Sequence, residues 1–416
     1  MTLIAHELRL LLRSRMAALA LLLVALLSCA AVVAGMAEIS RQREVIARIQ
    51  PKQAQDIASI AQWVDRDKDA GSAAYYSFHA TWDTPAPLAF AALGLRDVAP
   101  YILRVRALGL EAQLYDGEAF NPELALPGRF DFSFVLVYLT PLFVIALFHD
   151  LVSGEREAGR LRMLDALVGT GRHLWARRVG LRGGLLFLAL GVPLSVGAIL
   201  SHVPVAQLLA VLGLVALYLI FWIGVTLLIG RLRWSSVANA ATLAGLWLVL
   251  TLILPTIAHV AINRAIPVGQ GVEISLAQRE AVNRAWDIPR EDTMRAFYAN
   301  HPEWKDSPPL PAAFHYKWYL AFHQVGDESV AKKVADYRNA IEARDATAHA
   351  IGWLLPSVGV QSVLARLAQT DMQAQLAYQD RIRAFHKRLR NFYYGYLFTD
   401  TPFGKADFDK APKFEG

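Results

Sequence analysis

The sequence predicts a mainly α-helical, polytopic membrane protein with five transmembrane helices and a largely helical domain outside the membrane. Three observations predict this fold class. Only 19% of the 416 residues are charged, whereas an ordinary soluble domain has roughly 25%. Five stretches contain no Asp, Glu, Lys or Arg. The arginines between these stretches are distributed in a way that gives one consistent topology.

The five uncharged stretches are each about as long as the roughly 17–25 residues that a helix needs to cross a bilayer. A single charged side chain at the centre would cost about 2.5–3.5 kcal/mol. Five such stretches without a polar stripe therefore indicate membrane spans rather than the buried helices of a soluble protein. They cover residues 16–37, 132–148, 183–201, 202–230 and 234–262.

The first stretch also resembles a secretory signal, because arginines precede a leucine-rich run. It is long for the apolar core of a signal, however, and four more spans follow it. An uncleaved first transmembrane helix is therefore the better interpretation. The single cysteine, Cys29, lies inside this helix as an apolar residue, and one cysteine excludes a disulfide-based scaffold.

Charge counting predicts the orientation. Before the first stretch there are three arginines and one glutamate, and residues 149–182 hold seven arginines and four acidic residues. Arg231 and Arg233 follow the fourth stretch with no acid beside them. These three segments share one side, which is predicted to be cytoplasmic. The net charge of +6 thus reflects topology and does not indicate nucleic-acid binding.

The predicted organisation has six parts. They are a cytoplasmic N-terminal helix with the first span (1–37), a first external segment (38–131), the second span (132–148), a cytoplasmic coupling region (149–182), the third to fifth spans (183–262) and a second external segment (263–416).

Both external segments are predicted to be helical rather than stranded. Residues 38–64 fit an amphipathic helix interrupted at Pro51, and 327–349 and 371–398 fit two more. Residues 82–100 are predicted to form an ordered loop. Aromatic residues cluster at 392–398; core packing between the two segments is favoured over a substrate surface or a membrane-interface anchor. Residues 352–365 are apolar but too short to span, which favours a position at the membrane interface.

Catalytic motifs are missing from the sequence. No phosphate-binding loop, nucleophile elbow or zincin motif occurs. His315 and His323 are eight residues apart, but no further metal ligands accompany them, so a structural role is favoured. We therefore predict that the chain is not an enzyme and has no catalytic, cofactor-binding or metal-binding residues of its own.

The coupling region contains the most informative pattern. Glu155 and Glu157 suit the first turn of a helix, and an apolar stripe of leucines and valine continues to residue 168, before glycines at 169–171 end the helix. Such a helix can lie on anionic lipid or fill a groove on a soluble partner. The acidic start fits lipid binding poorly, so partner docking is favoured.

The stretch 148–162 (FHDLVSGEREAGRLR) resembles the segment after the second transmembrane helix in permeases of the ABC-2 type. In that family an E-R-E-x-G-x-L motif leads into the surface that receives movement from the ATP-binding subunit. Other stretches are similar to a subgroup with large external domains, catalogued as a domain of unknown function. These stretches are 121–135 (NPELALPGRFDFSFV), 82–85 (WDTP), 94–97 (GLRD) and 367–371 (LAQTD).

This resemblance implies a permease subunit of an ATP-driven transporter in a bacterial inner membrane, with its large domains in the periplasm. Its partners would be separate ATPase subunits, which carry the ATP and magnesium, a like or unlike second permease, and the bilayer. Such permeases usually have six spans, so a last helix is expected after Gly416, unless 352–365 inserts more deeply. The residues implied at the ATPase contact are Glu155, Arg156, Glu157, Gly159, Arg160, Arg162 and Leu164.

In the expected mechanism, closure of the ATPases pushes the helix at 155–168 and tilts the membrane helices. Pro141 and Pro255 are candidate kinks that allow the two halves of a helix to move separately, although static kinks are an equal alternative. Export is the expected direction. The alternative function is a membrane-anchored periplasmic scaffold whose external domains bind other proteins of the cell envelope.

Overall fold

In the computed structural model of the chain, the described residues are 3–115, 129–167, 172–269 and 271–416. They form a mainly helical protein. The α-helices of the first half are α1 Leu3–Arg13, α2 Arg15–Asp67, α3 Ala70–Tyr76, α4 Leu110–Tyr115, α5 Phe132–Phe134, α6 Thr140–Phe148, α7 Ser153–Glu157, α8 Leu161–Leu167 and α9 Arg172–Leu200. Those of the second half are α10 Val205–Gly230, α11 Ser236–Leu248, α12 Leu254–Ala265, α13 Gly271–Arg284, α14 Arg290–Asn300, α15 Tyr316–Ser329, α16 Ala331–Gly352, α17 Pro356–Leu367 and α18 Met372–Leu397.

Five helical stretches in the described residues are long and apolar enough to cross a membrane, in agreement with the five predicted spans. They pack together around one apolar core, to which α2, α9 and α10 contribute fully buried residues such as Val24, Leu190 and Val215. The five stretches are Arg15–Asp67, Phe132–Glu157, His173–Leu200, Val205–Gly230 and Ser236–Ala265.

Helix α2 continues far beyond its apolar part. Its 53 residues correspond to about 80 Å at 1.5 Å per residue, and Pro51 lies inside it. The predicted interruption at Pro51 is therefore wrong. A proline removes one backbone hydrogen bond, and here the turns after it are held by the packing of Ala61 and Val64 in a second core. The helix thus joins the membrane-type core to a separate outer unit.

The outer unit contains α3, α4, α13–α16, α18 and a two-stranded antiparallel sheet. Strands β1 (His79–Trp82) and β2 (Ile102–Val105) pair His79 with Val105 and Trp82 with Ile102. The prediction of helical rather than stranded segments holds for most of this unit but misses these two strands, because four-residue strands are too short to show a clear alternation of apolar and polar residues. The loop predicted at 82–100 is present, with short 3₁₀ turns at Ala89–Ala91 and Gly94–Asp97.

Aromatic side chains fill the core of the outer unit. Tyr393, Tyr394 and Phe398 of the predicted cluster are almost fully buried, and they share a core with Val64 of α2 and Phe297 of α14. The prediction of core packing between the two external segments is confirmed. Helices α16 and α18 also confirm the helices predicted at 327–349 and 371–398, the first of them shifted to Ala331–Gly352.

Helix α17 does not lie apart from the membrane-type core. Its Val360 and Leu364 are buried in that core, the Ser357 hydroxyl donates to the Leu250 carbonyl at 3.0 Å, and the Gln207 amide donates to the Leu367 carbonyl at 2.9 Å. Leu250 lies in the middle of the fifth membrane-length stretch. This packing favours the deeper of the two positions considered for residues 352–365.

Candidate functional site

The motif segment forms two short helices instead of the single predicted helix. α7 ends at Glu157 and α8 begins at Leu161. Between them Gly159 has a φ of 71°, and its N–H and that of Arg160 bind the carbonyls of Arg156 and Glu155, both at 3.0 Å. This arrangement is a Schellman motif, which needs a residue with positive φ and therefore favours glycine. The helix end predicted at 169–171, with residue 168 of the apolar stripe, lies outside the described residues.

Glu155 connects α7 to two other helices. Its carboxylate accepts hydrogen bonds from Arg160 at 2.8 Å and from Arg178 of α9 at 3.0 Å. Arg178 also contacts Glu7 of α1 at 3.3 Å and lies over the ring of Trp175. Glu155, Arg178 and Glu7 are largely buried, so these pairs are screened less than surface pairs. The result is an ionic connection between α1, α7 and α9.

Glu157 connects α7 to the beginning of α11. Its carboxylate accepts from the Ser236 backbone N–H at 2.6 Å and from the Ser236 hydroxyl at 3.0 Å. The Ser153 hydroxyl lies 2.8 Å from the same Ser236 hydroxyl. The first N–H groups of a helix have no partner within the helix, and its dipole favours a negative charge there. Glu157 therefore fastens α7 to the fifth membrane-length stretch.

The other predicted contact residues lie on the surface. Gly159, Arg160 and Arg162 are exposed, whereas Arg156 and Leu164 are half-buried. Met163 on α8 is 52% exposed, although methionine is a side chain that suits adaptable binding surfaces. The structure thus separates the predicted set into two glutamates that hold the segment, Glu155 largely buried and Glu157 exposed, and an exposed face centred on α8.

Sequence reasoning did not identify Arg178, Ser153 and Ser236. In the sequence Arg178 is one of seven arginines of the coupling region, which together indicate topology and do not single out this position. Ser236 follows Ser235, whose hydroxyl accepts from the Ala238 N–H as a helix N-cap, and a pair of serines before an apolar run is a detectable start signal.

Pro141 and Pro255 stand at matching positions of two membrane-length stretches. Each follows a π-helical turn that ends two residues earlier, at Val135–Leu139 and Val249–Ile253. A proline has no N–H, so carbonyls of the preceding turn lose their partners. In the first case the Tyr218 hydroxyl donates to the Val137 carbonyl at 2.9 Å. In the second, Ser357 donates to Leu250, as described above.

Four of the sequence stretches that carry the permease resemblance meet at one place, between the membrane-type core and the outer unit. We call this place the junction; it consists of Asp83, Phe90, Gly94, Arg96, Asp131 and Thr370. Arg96 forms an ion pair with Asp83. A Cβ on Gly94, whose φ is 49°, would lie 2.6 Å from the Thr370 carbonyl oxygen, and the Leu95 N–H donates to that oxygen at 2.8 Å.

The junction also reaches into the membrane-type core. The Asp131 carboxylate accepts from the Leu93 N–H at 2.8 Å and from the Phe134 N–H at 2.9 Å, which ties the loop to the start of α5. Phe90 is buried between two glycines: a Cβ on Gly35 of α2 would lie 2.0 Å from the Phe90 carbonyl oxygen, and one on Gly197 of α9 would lie 2.9 Å from its ring.

The two histidines considered as a pair have separate structural partners. His315 accepts from the Lys317 N–H at the start of α15, and His323 accepts from the Gly109 N–H. In the part of the chain that the structure describes, no group of three or more His, Cys, Asp or Glu side chains could hold a metal ion.

Residues 272–415 match a family described as Domain of unknown function (DUF3526). This range covers the second external segment and excludes the stretch at 148–162, so the permease resemblance rests on the quoted residues. No curated protein and no solved structure matches the chain.

Proposed function

We propose that the protein is the permease subunit of an ATP-driven transporter. In this proposal the exposed face of α8 receives movement from a separate ATPase subunit, and the bonds of Glu155 and Glu157 pass that movement to the membrane helices. The observation that carries the proposal is the pair of glutamates in the E-R-E motif. Glu155 contacts Arg178 of α9 and Glu157 contacts Ser236 of α11, so a displacement of α7 is coupled to both helices.

The proposal gives the motif residues different roles. Glu155 and Glu157 are positioning residues, because their carboxylates bind groups of this chain. Arg162, Met163 and Leu164 are the residues proposed to contact the ATPase, together with Gly159, Arg160 and Arg156. An apolar side chain with flanking arginines is the pattern of a helix that fills a groove on a partner.

The experiment uses the full chain carrying an affinity tag and purified from native membranes. Cys29 is the only cysteine, so a Cys29→Ala background with Met163→Cys gives one labelled position on α8. We expect an ATPase to copurify, to crosslink to residue 163, and to hydrolyse ATP more slowly when Glu155→Ala and Glu157→Ala are combined. Arg233→Cys, exposed in another loop of the same end, is the matched control for crosslinking.

Failure to recover an ATPase, or an ATPase that crosslinks equally to residues 163 and 233, would contradict the proposal. Unchanged ATP hydrolysis by a complex that contains both glutamate substitutions would also contradict it, since the positioning role predicts that the ATPase stays bound while its ATP hydrolysis slows.

The alternative function, a membrane-anchored scaffold, is favoured by one observation. The outer unit has a cleft of about 910 Å³, lined by α2, β1, Phe385 of α18 and the C-terminal residues around Phe414. A scaffold would retain its envelope partners after truncation of α8, whereas a permease would lose its ATPase. Comparison of the proteins captured by the two forms distinguishes the functions.

A further inference from the structure

A second cavity in the outer unit has a strongly basic lining. Its volume is about 410 Å³, within the range of roughly 300–1,000 Å³ that is typical of small-molecule sites. It lies between β2, α4, α13 and α15. Among the described residues, its lining contains no acidic residue and three arginines, Arg104, Arg106 and Arg279, together with Phe78, Gln113 and His323.

Residues of the segment 106–109 form the inner part of the cavity lining, which we call its floor, and hydrogen bonds hold this segment in place. The Gln113 side chain accepts from the Arg106 N–H at 2.8 Å and donates to the Gly109 carbonyl at 2.7 Å. Arg390 of α18, which is not part of the lining, donates to the Leu108 carbonyl at 2.6 Å and to the Asp327 carboxylate at 2.7 Å. The buried Asp327 carboxylate is therefore paired with an arginine that is not part of the lining.

Two hydrogen-bond donors in the lining have no hydrogen-bond partner within the described part of the chain. His323 Nδ1 accepts from the Gly109 N–H at 3.2 Å, so the proton of the neutral ring lies on Nε2. Burial and the nearby Arg390 and Arg106 lower the pKa of His323 to about 3, which keeps the ring neutral. Its Nε2 and Arg106 Nε are both buried without a hydrogen-bond partner among the described residues. Buried donors are normally satisfied.

The arginines are also held in place. The guanidinium groups of Arg104 and Arg106 lie 4.7 and 4.8 Å from the ring centroid of Phe78, a cation–π arrangement that fixes their planes. Arg104 pairs with Asp56 at 3.1 Å, but both side chains are more than half exposed, and such surface pairs contribute little. Arg106 forms no ion pair with an acidic residue of the described chain; its other contacts are with Tyr75.

We propose that this cavity binds a phosphate group, either of a free phosphorylated compound or of a lipid headgroup. A phosphate carries about −1.5 to −2 charges and several acceptor oxygens, and arginine forks bind it in a bidentate manner. Arg106 Nε of the floor and His323 Nε2 beside it donate to the phosphate, and Arg104 contacts it from the exposed rim. The proposal goes beyond the proposed transport function and does not depend on it.

The test uses the full chain purified in a non-ionic detergent, with inorganic phosphate and a water-soluble short-chain phosphatidic acid as probes. Isothermal titration calorimetry measures the Kd of each. We expect saturable binding with a Kd below about 10 mM, and at least about tenfold weaker binding by Arg106→Gln, because a charge-assisted hydrogen bond is lost. The matched control is Arg295→Gln, an exposed arginine on α14, which should leave the Kd unchanged.

A second variant keeps the proposal testable if Arg106→Gln is unstable. Arg104→Gln lies on the exposed rim, and it should also weaken binding while the melting temperature without phosphate changes little, because the exposed pair with Asp56 contributes little to stability. Equal affinities for the two probes would show that the phosphate group of a free compound is sufficient for binding. Tighter binding of the phosphatidic acid would show that the site prefers the phosphate of a lipid headgroup. Both outcomes support the site. Absence of saturable binding, equal competition by chloride, or unchanged affinity in both arginine variants would overturn it.

Discussion

Phe90 packs against two membrane-type helices at positions that are occupied by glycine, Gly35 of α2 and Gly197 of α9. A larger residue at either position would collide with Phe90. A Cβ on Gly35 would lie 2.0 Å from the Phe90 carbonyl oxygen, and a Cβ on Gly197 would contact the Phe90 ring. Loops rarely enter a core, because their backbone groups need partners. Here Asp131 and Thr370 provide such partners, by binding the Leu93 N–H and the Ala92 carbonyl.

Gly35→Ala should therefore destabilise the protein by about 1–3 kcal/mol, because the methyl group overlaps backbone that cannot move freely. The measurement is the free energy of unfolding of the purified protein in detergent. Gly213→Ala on α10 is the matched control, since nothing lies within 4 Å of a Cβ at that position, and the higher helix propensity of alanine should make it neutral or stabilising. Equal effects of the two substitutions would show that Phe90 does not pack there.

At the scale of elements, the prolines are local defects that neighbouring elements repair. The π-turn before each proline leaves carbonyls free, and in an apolar environment an unsatisfied carbonyl is costly. α10 supplies Tyr218 to the first defect and α17 supplies Ser357 to the second. The second repair ties a helix of the C-terminal half to the middle of the fifth membrane-length stretch.

A double-mutant cycle tests this repair. Ser357→Ala should cost about 0.5–1.5 kcal/mol, because the Leu250 carbonyl loses its donor. In a Pro255→Ala background the restored N–H of residue 255 can bind within the helix, so the cost of Ser357→Ala should fall towards zero. Additive effects in the free energy of unfolding would contradict the proposed link between the proline and the serine. Thr256→Ala, whose hydroxyl binds its own helix, is the control.

At the scale of the whole molecule, buried histidines make the stability of the outer unit depend on pH. Burial lowers the pKa of His79 to about 4 and, with nearby arginines, that of His323 to about 3. The pKa of His386 is also lowered well below its usual value, by burial first. Each ring gains a proton on unfolding at acidic pH. The unfolded state therefore binds more protons than the folded state between the unfolded pKa of about 6.5 and the lowered folded pKa.

We expect the stability of the protein to be constant with respect to these groups above about pH 7 and to decrease as the pH falls from about 6.5 to 4. The slope is about 1.4 kcal/mol per pH unit for each histidine. His79→Phe should reduce this slope by up to about 1.4 kcal/mol per pH unit, the contribution of one histidine. The measurement is the free energy of unfolding from denaturation curves recorded across this pH range. An unchanged slope in His79→Phe would show that its ring does not stay neutral in the folded protein.

The proposed topology is a second property of the whole molecule. The positive-inside rule assigns the arginine-rich ends of the helices to the cytoplasm and the outer unit to the periplasm. Alkaline phosphatase fused after Pro309 should therefore be active in whole cells and a green fluorescent protein fused there should be dark. Fusions in the loop at Arg233 should give the opposite pair of results. A reversal at both positions would invert the proposed orientation.

The sequence by itself determined the number and position of the membrane-length helices, because the absence of charge over 17 or more residues is a local and cumulative signal. It also determined the amphipathic helix α18, whose apolar stripe and Asp371 cap are local features. It did not reveal the break at Gly159, since a single glycine inside a helical pattern is compatible with either outcome.

Only the tertiary structure decided what the motif residues contact. That Glu155 and Glu157 lie at an ATPase contact is implied by the resemblance and stays a prediction. Within this chain they bind Arg178 and Ser236, which lie 23 and 79 residues away along the sequence. Thr370 and Ala92, which are 278 residues apart, are hydrogen-bonded at the junction. The arginines that line the cavity proposed to bind phosphate come from both external segments. Hydrogen bonds and ion pairs depend on distances of about 3 Å between atoms, and the spacing of residues along one sequence carries no information about such distances between remote segments.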